Sequence, residues 1–507
     1  MKKIAEVLIA LYTVGVSAQT SEIINFGQVG QTMLSGDAII DDEGKHLILM
    51  GTVTGIIISR HNATYVPLWT KQLDFQCSGD NGKVIQHSSG NYLVITTQSG
   101  ATPNGRILMI SKSGTILWHK ELNATIYCLN EIDQGYVAFS TGYITHSAIT
   151  VLDPDGNFVW SKQIQPPGTE NLITYELIKT NDSHLLAVSN RTGSSNYALH
   201  LAKMDYDGNL VWEQNYLTPL GDIYYDGVHG TDGNFYLAGY AMQGLVYNDT
   251  ELSIAKFDGT GNYVDHRYYG YDNFDQGNDI IEDGNGDFIV IGYSKPIPSC
   301  GGNLTIFKID TALDTIYTRH YGTSAGNGSF FWNIHKDDDV FYMFGCGSLW
   351  STVGTGDGHL IKTDTNFDLP CEPYLQSTTI TDPAAYTSTA SIANHSAVVL
   401  TLTDKTGETP ISLLTTDACT GAPISVHENK DSELKIYPVP ASNSLNVIWS
   451  GTDVATAGIL DITGKTVVFC QLAPGENSID VSSLKKGAYI LNVTSSEFNT
   501  TRKIVVE

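Results

Sequence analysis

The sequence predicts an all-β protein, a seven-bladed β-propeller of four-stranded blades followed by a small C-terminal β-sandwich, and three observations carry that expectation. First, a hairpin pattern recurs. In the stretch 149–164 (ITVLDPDGNFVWSKQI), Ile149, Val151, Phe158 and Trp160 lie in two alternating runs separated by Asp153-Pro154-Asp155-Gly156-Asn157, a turn composition joining antiparallel strands. The pattern returns at 107–122 and 199–216, and more loosely at 252–269 and 304–321. Its blade anchors are Trp69, Trp118, Trp160, Trp212, Asp265 and Tyr317, with Leu369 as the seventh. Successive anchors stand 49, 42, 52, 53, 52 and 52 residues apart, the range of propeller and array repeats. Second, further turn-then-strand signals lie between the copies, at 90–95, 135–139, 232–240 and 286–293, so each unit holds four strands. A lone four-stranded sheet cannot bury both faces; radial stacking closes the set, with the anchor side chain packed between blades. Third, Leu445, Val447 and Trp449 alternate near the C-terminus, as do Tyr489, Leu491 and Val493, which is the pattern of an antiparallel sandwich.

Taken in order, the chain opens with Met1-Lys2-Lys3, a mostly apolar run from Ile4 to Val16, and small residues at Val16-Ser17-Ala18. Residues 1–18 therefore read as a signal peptide cut between Ala18 and Gln19. Elsewhere no stretch approaches about 18 uninterrupted apolar residues, so no membrane span is expected. Phe26-Gly27 matches the strand ends Tyr269-Gly270 and Tyr321-Gly322, whereas the seventh unit breaks at Leu369-Pro370-Cys371, where proline withholds a ladder donor. Glu22 to Gly27 is thus expected as the outer strand of the last blade, removing a free edge. The propeller spans 19–371, with units at 33–75, 82–122, 125–164, 172–216, 223–270, 275–322 and 330–371. Residues 372–424, rich in Ser and Thr, form either a β-rich extension or a degenerate eighth blade. A polar linker at 425–433 leads to a separate module at 434–507.

A net charge of −26 excludes nucleic acid as a partner, because phosphate binding needs a basic surface. The seven cysteines contain no C-x-x-C; Cys300 with Cys346 and Cys371 with Cys419 are candidate pairs, with Cys470 left over, and spacing does not fix the connectivity. Gly322-Thr323-Ser324-Ala325-Gly326 fits the nucleophile-elbow pattern but stands between two strands, so it reads as a loop. Asp153/Asp155, Asp205/Asp207 and Asp283/Asp287 sit in hairpin turns and lack the downstream glutamate of a calcium loop. No cofactor is expected, and calcium is the one cation these turns leave open.

The repeat resembles the blades of pyrroloquinoline-quinone-type propellers, which carry an Asp, a turn Gly and a docking Trp. Asp153, Gly156 and Trp160, and Asp205, Gly208 and Trp212, carry the likeness; Ser113 replaces the acid before Gly114 and Trp118, and Asp265 breaks the pattern. An adjacent cysteine pair, common in the quinone dehydrogenases, is absent, and the cofactor is not carried over. The last module closely resembles the type A C-terminal sorting domain of type IX secretion cargo in the Bacteroidota. Its motifs are Lys435-Ile436-Tyr437-Pro438-Val439-Pro440, Asp461-Ile462-Thr463-Gly464-Lys465 and Leu484-Lys485-Lys486-Gly487-Ala488-Tyr489-Ile490. The resemblance implies that Tyr437, Pro438, Pro440, Asp461, Gly464, Lys465, Leu484, Gly487 and Tyr489 form an address read by the type IX export machinery. It also implies passage through the periplasm, removal of the domain and attachment to surface lipopolysaccharide.

The leading expectation for the body is a secreted or surface-displayed propeller that binds a glycan or protein and does no chemistry, using stretches such as Tyr224-Tyr225-Asp226 and 268–272. The alternative is a secreted polysaccharide-acting hydrolase or lyase with its site at the propeller axis. That reading requires acids converging at the axis.

Overall fold

In a computed structural model the described residues are 21–27, 33–369 except for 53–54, 74–81, 99–103, 143–146, 165–170, 193–197, 219, 243–249, 271–273, 296–302, 322–328 and 348–356, five short strands between 379 and 417, and 434–506 except for 438–439, 450–454, 462–465, 483 and 495–498. Among these the protein is all β apart from one short 3-10 turn at Asp133–Gly135. The strands between Met33 and Thr363 form antiparallel units in chain order. Six units have four strands each and end on the outer strands Pro67–Leu73, Ile116–Leu122, Phe158–Ile164, Leu210–Leu217, Tyr263–Gly270 and Thr315–Tyr321. The next unit has three strands of its own, Ser329–Asp337, Val340–Gly347 and Asp357–Thr363. Glu22–Gly27 supplies its fourth, pairing Glu22 with Lys362 and Phe26 with Gly358.

Each unit hides its two faces against its neighbours, as a radial, propeller-like stack requires. One apolar cluster joins the first unit to the second through Leu49, Ile58, Val84 and Tyr92. Comparable clusters follow between every successive pair, and the last, built from Ile24, Phe26, Phe344 and Leu360 on one side and Ile48, Met50 and Ile57 on the other, returns to the first unit. The inner strands (Met33–Ile40, Lys83–Gln86, Thr125–Glu131, Asn171–Lys179, Ile223–His229, Phe274–Glu282 and Ser329–Asp337) contact one another in the same order, and the seventh meets the first.

The repeated tryptophans pack onto the turn of the following unit. Trp69 donates from Nε1 to the Lys112 carbonyl (2.9 Å), Trp118 to Pro154 (3.1 Å) and Trp160 to Tyr206 (2.9 Å), while Tyr317 reaches the Thr365 carbonyl through its hydroxyl (2.9 Å). Gly156 shows why the turn needs glycine: its φ is +79°, and a Cβ there would stand 2.7 Å from the Trp118 ring. Trp212 lies over Gly261 in the same way. Asp265 instead accepts from Arg267 Nη1 at 2.6 Å on its own strand. Leu369 does not hold the seventh anchor position. It lies in coil beyond the last strand, where its apolar side chain joins the neighbouring core. The register puts Glu22 opposite Lys362, as Trp212 stands opposite Lys203, and Tyr65 of the first unit's turn donates to Glu22 Oε2 at 3.0 Å.

Residues 379–417 make no sheet of their own among the described residues. Their five short strands each add antiparallel to the outer strand of an existing unit, and they do so against chain order. Thr379–Thr381 pairs with the fifth unit, Thr387–Thr389 with the fourth, Thr403–Asp404 with the second, Thr409–Pro410 with the first, and Leu414–Asp417 with Glu22–Gly27. This belt satisfies backbone groups that an outer edge would otherwise expose.

The C-terminal module consists of a three-stranded and a four-stranded antiparallel sheet that share one apolar cluster, including Leu445, Val447, Trp449, Ile459, Leu491, Val493 and Ile504.

Candidate functional site: a polar cluster where the inner strands converge

The inner strands carry a polar residue at matching positions, identified by a contact that repeats between units. Asp37 Oδ2 accepts from Val84 N (2.7 Å), Asp226 Oδ2 from Ile280 N (3.0 Å) and Asp279 Oδ2 from Ile334 N (2.8 Å). Each acid thus holds the backbone of the next inner strand one residue beyond the matching position, which is Lys83, Asp279 and Asn333 in turn. Glu176 and Cys128 complete the set. Lys83 of the second unit reaches across the third to donate to Glu176 Oε2 of the fourth at 2.9 Å. Asp226 lies close enough to Asp279 to act on its carboxyl. At the first unit, Asp37 Oδ1 accepts from Ala38 N at 2.7 Å and faces His335 Nε2 at 3.4 Å.

Crowding by protein and like charge controls the protons here. Burial pushes Glu176 up to about 7 against the pull of the Lys83 ammonium, and the Asp226 charge adds to the rise. Burial, then the charge and hydrogen bond of Asp226, raise Asp279 well above the usual carboxylate range. The Cys128 thiol, 3.0 Å from Ser140 Oγ, is likewise raised by burial, so it is an inert thiol rather than a nucleophile.

Beside these groups four inner strands bulge, and the extra residues are Tyr175, Tyr225, Asn278 and Trp332; the third inner strand is also irregular at Tyr127 and Cys128. A bulge re-aims a side chain. Tyr127 meets Tyr175 at a ring-centroid distance of 5.2 Å, and Tyr175 meets Tyr225 at 5.1 Å, both edge to face. At the other end of the first, second and seventh inner strands a cavity of about 260 Å³ is lined by Ile39, Ile40, Ile85, Gln86, His335, Lys336 and Asp337.

The residues singled out from sequence lie elsewhere. The anchors sit at the periphery. Among the described residues of the two tyrosine-rich stretches, Tyr225 and Asp226 reach the convergence: Tyr224 is buried with its hydroxyl 2.9 Å from Ser253 Oγ, Tyr268 donates to Asp222 Oδ1 at 2.9 Å, and Tyr269 packs between the fifth and sixth units, while Tyr271 and Asp272 lie outside the described residues. In the acidic turns the carboxylates hold the turn itself. Asp153 Oδ1 accepts from Asp155 N and Asn157 N, Asp205 does the same for Asp207 and Asn209, and Asp283 also pairs with Lys308 Nζ at 2.7 Å. Among the described residues no group of three or more His, Cys, Asp or Glu is placed to hold a metal ion. Ala18, Gln19, Ser324, Pro438, Gly464, Lys465, Cys300, Cys371 and Cys419 lie outside the described residues, while Cys346 is buried and Cys470 is a free thiol. In the tail, Tyr437 is exposed and donates to Glu476 Oε1 (2.6 Å), Leu484 packs on the apolar cluster, and Tyr489 donates to the Lys485 carbonyl (2.8 Å). Pro440 precedes the strand Ser444–Trp449, Asp461 follows Ala455–Leu460, and Gly487 opens Gly487–Thr494.

Comparison with known proteins finds one matching family, the secretion system C-terminal sorting domain, over residues 435–507. A β-agarase D from Zobellia galactanivorans is 36% identical over 74 residues, which is 15% of this chain and 15% of that protein. The match leaves most of that enzyme's length unspanned. Among solved structures, an unknown-function protein from Dyadobacter fermentans is similar at 8% identity and TM-score 0.41, covering 68% of this chain and 98% of that one. The β-propeller domain of the Trilobed protease from Pyrococcus furiosus is similar at 10% identity and TM-score 0.38, covering 63% and 91%. Likeness this distant says nothing about activity, and the architecture rests on the strand pairing above. Among the described residues no helix is long and apolar enough to cross a membrane. The C-terminal sorting domain indicates secretion through the type IX system.

Proposed function

We propose that the protein is an exported, surface-displayed binding protein whose body is a closed seven-bladed propeller, with its ligand site where the inner strands converge and no catalytic role. The observation that carries this is the state of the converging acids. Acids do gather there, as a hydrolase would need, but each is already engaged. Glu176 is paired with Lys83, and Asp37, Asp226 and Asp279 all hold backbone N–H groups of neighbouring strands. Glycoside hydrolysis needs two carboxyls roughly 5–5.5 or 6.5–9.5 Å apart, flanking the scissile bond. The tail supplies delivery, with the nine motif residues from Tyr437 to Tyr489 as its address and the export machinery as its partner.

The test is incubation of the full-length secreted protein with a panel of polysaccharides, following both retention and release of product over hours. Retention without product is expected. Time-dependent product that disappears in Asp279→Asn would overturn the binding reading and establish the hydrolase.

A further inference from the structure

Resting on that reading of the axis as a binding site, we infer that its ligand is a neutral sugar, seated on the collar of bulged aromatic residues Tyr127, Tyr175, Tyr225 and Trp332 above the paired acids. The collar is built rather than incidental. Tyr127, Tyr175 and Tyr225 come from three successive units, keep part of their surface exposed and touch one another edge to face. Space is reserved for the first of them: a Cβ at Gly142 would stand 2.4 Å from the Tyr127 ring. Ile223, Tyr240 and Met242 back Tyr175 and Tyr225, fixing their orientation before any ligand arrives.

On the seventh unit Trp332 is stacked on Phe330 at 5.4 Å with 6° between planes, and Phe330 on Tyr293 at 4.4 Å with 8°. Trp332 ends this parallel stack, and its outer ring face is the surface that the C–H face of a pyranose would cover. The indole Nε1–H of Trp332 is buried and has no acceptor among the described residues. An unsatisfied donor is the type of group that a ligand oxygen relieves after a small turn of the ring.

The polar floor decides among ligand classes. It mixes donors and acceptors: Lys83 Nζ donates to Glu176 and Asn333 Nδ2 to the Gly36 carbonyl, while Asp226 and Asp279 each use one oxygen on a backbone N–H. A polyol uses both kinds. An anionic ligand meets a chain of net charge −26. A cation meets the Lys83 ammonium, which already pairs with Glu176. A neutral sugar is the class with no such penalty.

The experiment uses the full-length secreted protein on arrays of neutral, anionic and amino-bearing oligosaccharides and on peptide and quaternary-ammonium probes, with calorimetry on any hit. Wild type is compared with Tyr175→Ala, Trp332→Ala and Trp332→Phe, each checked for an unchanged circular dichroism spectrum and melting temperature. The expected result is binding of a neutral oligosaccharide that weakens at least tenfold in both alanine variants and less in Trp332→Phe, which keeps the platform. If an anionic, cationic or peptide probe binds instead and the alanine variants abolish it, the sugar assignment falls while the axial site stands. If a bound sugar is indifferent to all three substitutions, or nothing binds, both fall. Should an alanine variant misfold, Tyr175→Phe and Trp332→Phe serve, and unchanged affinity in both overturns the assignment.

Discussion

Five histidines make the protein's stability depend on acidity one side chain at a time. Burial holds His46 and His359 at about 3 and His61, His266 and His320 at about 4, well below the usual 6.5. In the unfolded chain they take up protons near 6.5, so between about 6.5 and 4 the unfolded state binds protons that the native state refuses. Their stabilisation is complete above 6.5 and is lost as pH falls, at up to about 1.4 kcal/mol per pH unit for each ring. Glu176 works the other way, because its raised value means that its contribution is complete below the unfolded 4.5 and fades as pH rises through about 7. With five rings against the two raised carboxyls of Glu176 and Asp279, the melting temperature is expected to fall from pH 6.5 to pH 4.5; calorimetry showing a flat or rising midpoint across that window would contradict it. At this scale the sequence was legible where a side chain meets its partner within one repeat. Trp118 and Gly156 advertise each other because the spacing between them recurs. Glu22 did not, since its partners lie in the first turn and at the far end of the body. Lys83, Glu176, Asp226 and Asp279 meet only once the inner strands converge. The Tyr175-Glu176 and Tyr225-Asp226 pairs, one repeat apart on successive inner strands, were the available signal.

Among the elements, the strand Glu22–Gly27 has the most to lose. It pairs on one side with Asp357–Thr363 and on the other with Leu414–Asp417, and Ile23, Ile24 and Phe26 are all buried. Ile24 stands opposite Leu360 and Asp417, so Ile24→Pro should remove a ladder donor and a buried side chain together, for a loss of about 3 kcal/mol or more. Chemical denaturation of the variant checks this, and an unchanged midpoint would show that the strand does not fasten the ring. Hairpins and their turns were readable because alternation and Asp-Gly chemistry are local. The belt strands were not. A segment of two or three residues needs only backbone groups laid along an existing edge, so nothing in Thr403–Asp404 or Thr409–Pro410 had to be apolar or alternating. For the same reason the sequence left 372–424 open between an extra blade and an extension.

The molecule as a whole separates what is delivered from what delivers it. The buried residues of the tail form a cluster among themselves, and none of the clusters of the body draws on a described residue beyond 434. Deleting Leu434 to Glu507 is therefore expected to leave the body folded, with its melting temperature unchanged within error, yet retained in the periplasm on cell fractionation. Normal arrival of the truncated protein outside the cell would refute the address. Both the body's repeat and the tail's motifs were legible because each is written in contiguous residues, whereas the site at the axis is written across seven of them.

Because Gly27 pairs with Leu414, a strand that precedes all seven units is among the last to find both its neighbours. Assembly resembles cooperage: the staves must stand in a circle before a hoop can be drawn round them, and here the hoop runs backward from the fifth stave to the join. A nascent chain that has not yet reached Asp357–Thr363 holds an open seam that no local folding can close.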